Sequence, residues 1–261
     1  MNNRLQKIFE QEKKILNVYF TAGYPELAST IPIMELLAKH GADIIELGMP
    51  YSDPLADGPV IQASSTIALE NGMSIEKLFE QLVGFRSSAA NELRDTGVVL
   101  MGYMNPILQF GFEAFCAKAA EVGIDGLILP DLPEYEFEET YSVIIKKYGL
   151  DFIFLITPET SEQRVRKLDA LSSGFLYAVS SSSTTGSATN KEFVTAYLQR
   201  LAAYKLSNPI LVGFGIKDKE SFTMAAEYTS GAIIGSAFIK ALGTGKDINE
   251  IVPAFLKPII A

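Results

Sequence analysis

Two hydrophobic rhythms alternate along the chain. Short apolar runs, most of them nearly unbroken, occupy residues 16–23, 42–48, 97–105, 126–133, 151–158, 174–180, 209–216 and 231–236. Such runs suit parallel strands covered on both faces. Between them lie stretches with apolar positions at helical spacing, at 27–40, 75–93, 112–122, 134–148, 162–171, 192–205, 219–228 and 248–256, with one further helix near 4–14. Strand and helix taking turns predict βαβ units and a parallel sheet. Eight such units in 261 residues predict an α/β fold, a closed (β/α)8 barrel of the TIM type with an extra N-terminal helix, as one domain over 1–261. An open doubly wound sheet is the alternative, but no early G-x-G-x-x-G accompanies the first strand.

One polar residue breaks this pattern where it matters. Glu46 sits inside the apolar run Ile44-Ile45-Glu46-Leu47, and the loop that follows carries Asp53 and Asp57 among prolines and glycines. Burying an unpaired carboxylate costs several kcal/mol or more, roughly, so a chain that does so pairs it or uses it. Alternation puts Ile44, Glu46 and Gly48 on one face, which at the mouth of a barrel is where active sites lie. Desolvation there raises a carboxyl pKa and suits it to proton transfer near neutrality. Asp57 reads either as an Asx-turn or helix N-cap before the 60–69 segment, or as a second carboxylate beside Glu46. Asp53, before Pro54, reads as a turn former. Tyr177, in the sixth strand, is a core tyrosine unless its face is the barrel interior.

The last two barrel loops carry a phosphate signal. Val212-Gly213-Phe214-Gly215-Ile216 follows strand seven and Ile234-Gly235-Ser236-Ala237-Phe238 follows strand eight. Glycines let backbone N–H groups approach an anion, and barrels often bind phosphate between these loops. Ser180–Asn190, rich in Ser and Thr, falls after strand six and reads as a lid.

Composition narrows the chemistry. There are 22 basic and 31 acidic side chains, a net charge of −9, which argues against nucleic acid or an anionic membrane as partner. An anionic substrate must then be held by local dipoles. The single histidine, His40, stands at a helix end before Gly41, away from the predicted mouth, so Ser-His and Cys-His schemes are excluded. Cys116 is the one cysteine and shares an apolar helix face with Phe112 and Phe115, and no cluster has metal-ligand spacing. With no secretory h-region and no spanning run, a soluble cytoplasmic protein is expected.

The run Leu47-Gly48-Met49-Pro50-Tyr51-Ser52-Asp53-Pro54-Leu55-Ala56-Asp57-Gly58-Pro59-Val60-Ile61-Gln62 resembles the signature of the tryptophan synthase alpha subunit family. The resemblance extends to Thr21-Ala22-Gly23-Tyr24-Pro25, to Met101-Gly102-Tyr103-Met104-Asn105-Pro106, to Pro130-Asp131-Leu132-Pro133 and to the two glycine loops. It implies a lyase of tryptophan biosynthesis that cleaves indole-3-glycerol phosphate by a retro-aldol reaction. Carried over by motif, it makes Glu46 the general acid/base, Asp57 the carboxylate on the indole N–H, and Tyr177 a tyrosine beside the acid. Thr185, Gly186, Gly215, Gly235 and Ser236 match the phosphate end, and Tyr19, Ile61, Leu100 and Phe214 the wall around the indole. It implies no cofactor in this chain, with pyridoxal phosphate carried by a beta subunit in an alpha2beta2 heterotetramer. The 53–54 and 130–133 loops are its implied contacts. The chain departs from the family at Ser181-Ser182-Ser183-Thr184, where many members carry an arginine. Two other readings stay in competition: a different phosphate-binding barrel such as a sugar-phosphate isomerase or epimerase, and a binding subunit that mainly activates a partner.

Overall fold

The computed structural model describes residues 4–87, 92–179, 188–213 and 215–260. Nine parallel strands form one sheet: β1 Ile15–Thr21, β2 Ile44–Gly48, β3 Gly97–Met101, β4 Gly126–Ile128, β5 Asp151–Phe152, β6 Leu155–Ile156, β7 Leu176–Val179, β8 Ile210–Gly213 and β9 Gly231–Ile234. Their order is β5-β4-β3-β2-β1-β9-β8-β7-β6. The two edge strands are consecutive pieces of one segment, separated only by Ile153 and Phe154. The Ile153 N–H donates to the Leu127 carbonyl at 3.0 Å and the Tyr177 N–H to the Phe154 carbonyl at 3.0 Å. One segment therefore bonds to β4 on one side and to β7 on the other, and the sheet closes into an eight-position barrel. The fifth predicted strand is this segment, split in two.

Alternation sorts the strand residues into two cores. Leu16, Val18, Phe20, Ile45, Leu47, Val98 and Leu100 join the larger cluster, packed between sheet and helices. Ile15, Ile44, Val99, Ile128, Ile153, Phe175, Leu211 and Ile233 fill the barrel. The N-terminal helix Arg4–Phe9 closes the bottom with Leu5 and Ile8, both buried. Gly97 makes room for it, since a Cβ there would crowd both side chains. Charge at this end is structural. Asp125 is buried, pairs with Arg4 and with Arg86 (2.7 Å), and accepts the Val98 N–H at 2.8 Å.

The helices differ from expectation at three places. The predicted 75–93 helix stops at Leu82, because Gly84 takes a positive φ of 76°; a 3-10 turn at Phe85–Ser87 and a short helix at Glu92–Asp95 follow. The third strand ends at Met101 rather than 105, and a short helix, Met104–Phe110, follows at once. A further short helix, Ser236–Leu242, follows β9. His40 is the C-cap of Thr30–Lys39, with Gly41 at φ 95°. No described helix is long and apolar enough to cross a membrane.

Candidate active site

At the C-terminal mouth of the barrel lies a cavity of about 640 Å³. Glu46, Asp57, Tyr19, Ile61, Tyr177, Gly215, Gly235 and Ser236 all line it, joined by Met101, Leu155, Ile233, Lys217 and Lys240. The two carboxyl groups that the sequence singles out thus open on one space, with the glycine loops of the phosphate signal on the same wall.

Glu46 is placed by β2, in register with Tyr19 of β1 and Val99 of β3. It is 1 % exposed. Its Oε2 accepts a hydrogen bond from Asn17 Nδ2 at 3.1 Å, and its Oε1 has no hydrogen-bond partner among the described residues. Burial, opposed by the Asn17 bond and reinforced by the negative charge of Asp57, pushes its pKa up to about 8. At neutral pH Glu46 is therefore mainly a neutral acid with one unpaired oxygen, in a side chain that lines the cavity, and so is able to give a proton and take one back.

Asp57 is held by its loop rather than by a strand. Its Oδ2 accepts from the Tyr103 hydroxyl at 2.9 Å, and that hydroxyl accepts the Ala56 N–H at 3.1 Å. Gln62 donates to the Asp57 carbonyl at 2.8 Å. The N-cap of helix Pro59–Glu70 is Gly58, with no side-chain cap bond. The capping alternative for Asp57 is thereby removed, and its carboxyl is left to the cavity. Burial raises its pKa to about 6, a rise that the Tyr103 bond limits. Asp57 is thus mostly ionised at pH 7 while Glu46 is mostly protonated, which separates an anion from a proton donor within one site.

Two tyrosines flank Glu46, and neighbouring glycines accommodate both. A Cβ on Gly48 would collide with the Tyr19 hydroxyl, and one on Gly213 with the Tyr177 hydroxyl. Burial and the nearby carboxylates push both hydroxyl pKa values well above the usual tyrosine range, so both rings stay neutral. Tyr19 contacts Thr21 (3.4 Å), which bonds Ser64 at 2.7 Å, and Ser64 donates to the Ile61 carbonyl at 2.8 Å. This buried chain ties β1 to the helix that carries Ile61.

Leu100 requires a correction. It faces outward into the cluster between sheet and helices, and its neighbour Met101 lines the cavity instead. A one-residue slip in a strand reverses the face. Thr185, Gly186, Phe214 and most of the 180–190 lid lie outside the described residues.

Several site residues escaped the reading of motifs as chemistry. Tyr103 was visible only as part of a familiar run; its contact with Asp57 spans 46 positions and has no local signal. Asn17 sits in an apolar strand with no polar neighbour to mark it. Lys217 and Lys240 line a wall that glycines alone were expected to serve. Among the described residues no group of three His, Cys, Asp or Glu side chains is placed to hold a metal ion.

Comparison with known proteins finds relatives along nearly the whole chain. A family model described as "Tryptophan synthase alpha chain" matches residues 5–256. The chain is 53 % identical over 254 residues to a protein of that name from Flavobacterium johnsoniae, covering 96 % of this chain and 98 % of the relative. It is 50 % identical over 252 residues to another from Bacteroides thetaiotaomicron, covering 96 % of each. The crystal structure of tryptophan synthase subunit alpha from Legionella pneumophila superposes with a TM-score of 0.89 at 36 % identity, covering 99 % of this chain and 97 % of that one.

Proposed function

The chain belongs to the tryptophan synthase alpha chain family, and from that premise we propose that Glu46 and Asp57 together carry its reaction in this cavity. The reaction is that of a carbon–carbon lyase in tryptophan biosynthesis: indole-3-glycerol phosphate is cleaved to indole and glyceraldehyde 3-phosphate. The observation that supports the assignment is that Glu46 and Asp57, both buried and with carboxyl pKa values raised to about 8 and about 6, line one cavity.

Glu46 gives its proton to indole C3, the ring carbon that bears the glycerol chain. The ring becomes a cation, and Asp57, accepting the ring N–H, stabilises it electrostatically. Glu46, now a carboxylate, takes the proton of the hydroxyl on the adjacent chain carbon. The C–C bond breaks, its electron pair returns to the ring, and the hydroxyl carbon leaves as the aldehyde. Glu46 ends protonated, as it began. Tyr19, Ile61, Met101 and Tyr177 wall the indole. Gly215, Gly235 and Ser236 receive the phosphate, and Lys217 and Lys240 add positive charge that the acidic chain otherwise lacks. By motif, Thr185 and Gly186 complete that end and Phe214 belongs to the indole wall. Anchoring the phosphate holds the scissile bond against Glu46.

This chain forms one domain and acts as the alpha subunit of an alpha2beta2 assembly, in the cytoplasm. The beta partner carries the pyridoxal phosphate and consumes the indole. Leu55, 92 % exposed beside the 53–54 loop, and Tyr135, 63 % exposed after the 130–133 loop, support a partner surface at the mouth. The test is indole release from indole-3-glycerol phosphate by the purified protein, alone and with a beta subunit. Release that rises with the partner is expected. No release from folded protein under either condition would overturn the reading.

A further inference from the structure

The floor beneath Glu46 contains one polar side chain that the reaction does not require. Asn17 is fully buried in β1, in register with Ile44 and Ile233, one pleat below the Tyr19–Glu46 pair. Its neighbours in that interior are aliphatic: Ile15, Ile44, Val99 and Ile233. A buried amide in such surroundings is costly unless its hydrogen bonds are made, and here only one is. Nδ2 donates to Glu46 Oε2, while Oδ1 has no partner among the described residues. Leaving such an acceptor unpaired is destabilising, and an aliphatic residue would give a better-packed floor. The amide's one side-chain bond therefore marks what it is for.

We infer that Asn17 is a positioning residue for Glu46: its amide holds the Oε2 side of the carboxyl toward the floor, so that Oε1 is presented to the cavity, through both protonation states. An amide suits this task because it is two-sided. Nδ2–H donates to the carboxylate. Turned over about its Cβ–Cγ bond, Oδ1 accepts from the carboxylic acid, and the unpaired Oδ1 leaves that turn unopposed by any described partner. Val or Leu would fit the strand but could serve neither state, and the amide bond serves the carboxylate more strongly than the acid. The inference rests on the proposed role of Glu46 in proton transfer.

The other titratable groups facing Glu46 are Tyr19, Asp57 and Tyr177, and they are the same in every variant compared below. Asn17→Leu removes the bond at nearly constant volume, Asn17→Ala removes it by truncation, and Asn17→Thr keeps a hydroxyl donor. The first readout is the titration of the Glu46 side-chain carboxyl, followed by carbon-13 NMR in the substrate-free protein. The second is the pH dependence of kcat and KM for indole release. Loss of the bond to the carboxylate should raise the Glu46 midpoint by about one pH unit in Asn17→Leu and in Asn17→Ala. The falling limb of the rate profile, which requires the acid form, should move up with it. At neutral pH kcat should fall about tenfold with KM within about twofold, and Asn17→Thr should recover part of both effects. An unmoved midpoint in whichever of the Leu and Ala variants folds would overturn the inference. So would equal impairment of all three variants with no shift in pH profile, which is the mark of a purely structural residue. If the unaltered protein releases no indole, the functional reading has failed, and the Glu46 titration alone still decides the role of Asn17.

Discussion

Burial acts on Glu46 and Asp57 in the same sense but to different depths, and that difference gives the two carboxyls different work. Asp57 faces a hydroxyl donor that stabilises its anion, whereas Glu46 has one amide and a buried oxygen without a partner among the described residues. The raised pKa of Glu46 also has a consequence for stability. The native state holds the proton from the ordinary value of 4.5 up to about 8, where the unfolded chain has lost it. Its contribution is therefore present at low pH and is lost as pH rises through that window. Glu46→Gln removes the ionisation. The variant should gain on the natural chain between pH 5 and pH 9, by up to about 5 kcal/mol, read from urea unfolding at each pH. Parallel stability curves would mean that Glu46 ionises freely in the fold.

At the scale of elements, strands position the acid and loops position everything that meets it. β2 fixes Glu46 through its registers with β1 and β3, while Asp57 depends on Tyr103 from the turn after β3. The phosphate wall offers a clean test of loop function. A Cβ on Gly235 would lie 3.5 Å from Tyr19, an ordinary contact, and the backbone there has a negative φ of −121° with ψ −82°. Gly235→Asp should raise KM about tenfold or more by placing negative charge against the phosphate, about 1.4 kcal/mol at the least, with kcat of the folded variant much less affected. An unchanged KM would move the phosphate site elsewhere.

The same division explains what could be read from the sequence. Glu46 was legible because a charge within an apolar strand has few explanations, and the barrel because eight repeats average out local errors. The split of the fifth strand was not, since pairing to two different neighbours leaves no trace in a run of apolar residues. Leu100 and Met101 were exchanged because both are apolar and the exact strand register decides which faces in. Gly84, which breaks the predicted 75–93 helix, had the right chemistry for a stop but sat amid helical spacing.

At the scale of the whole molecule, the two ends of the barrel use charge differently. The bottom neutralises Asp125 with Arg4 and Arg86, and the mouth leaves acids facing a cavity. Around that mouth stands Leu55, almost wholly exposed at the tip of the loop that carries Asp57. A partner seated there would bear directly on the catalytic loop. Leu55→Asp should leave cleavage by the isolated chain within about twofold while weakening its stimulation by a beta subunit, seen as a higher partner concentration for half-maximal indole release. Unaltered stimulation would place the partner elsewhere.

In the proposed reaction Glu46 moves the proton. The most direct measurement is the single-turnover rate of indole formation by Glu46→Gln beside the unaltered chain, at saturating substrate. Loss of at least about a hundredfold, with substrate still bound, is the expected result. Turnover surviving within a few-fold would mean that another group protonates the ring.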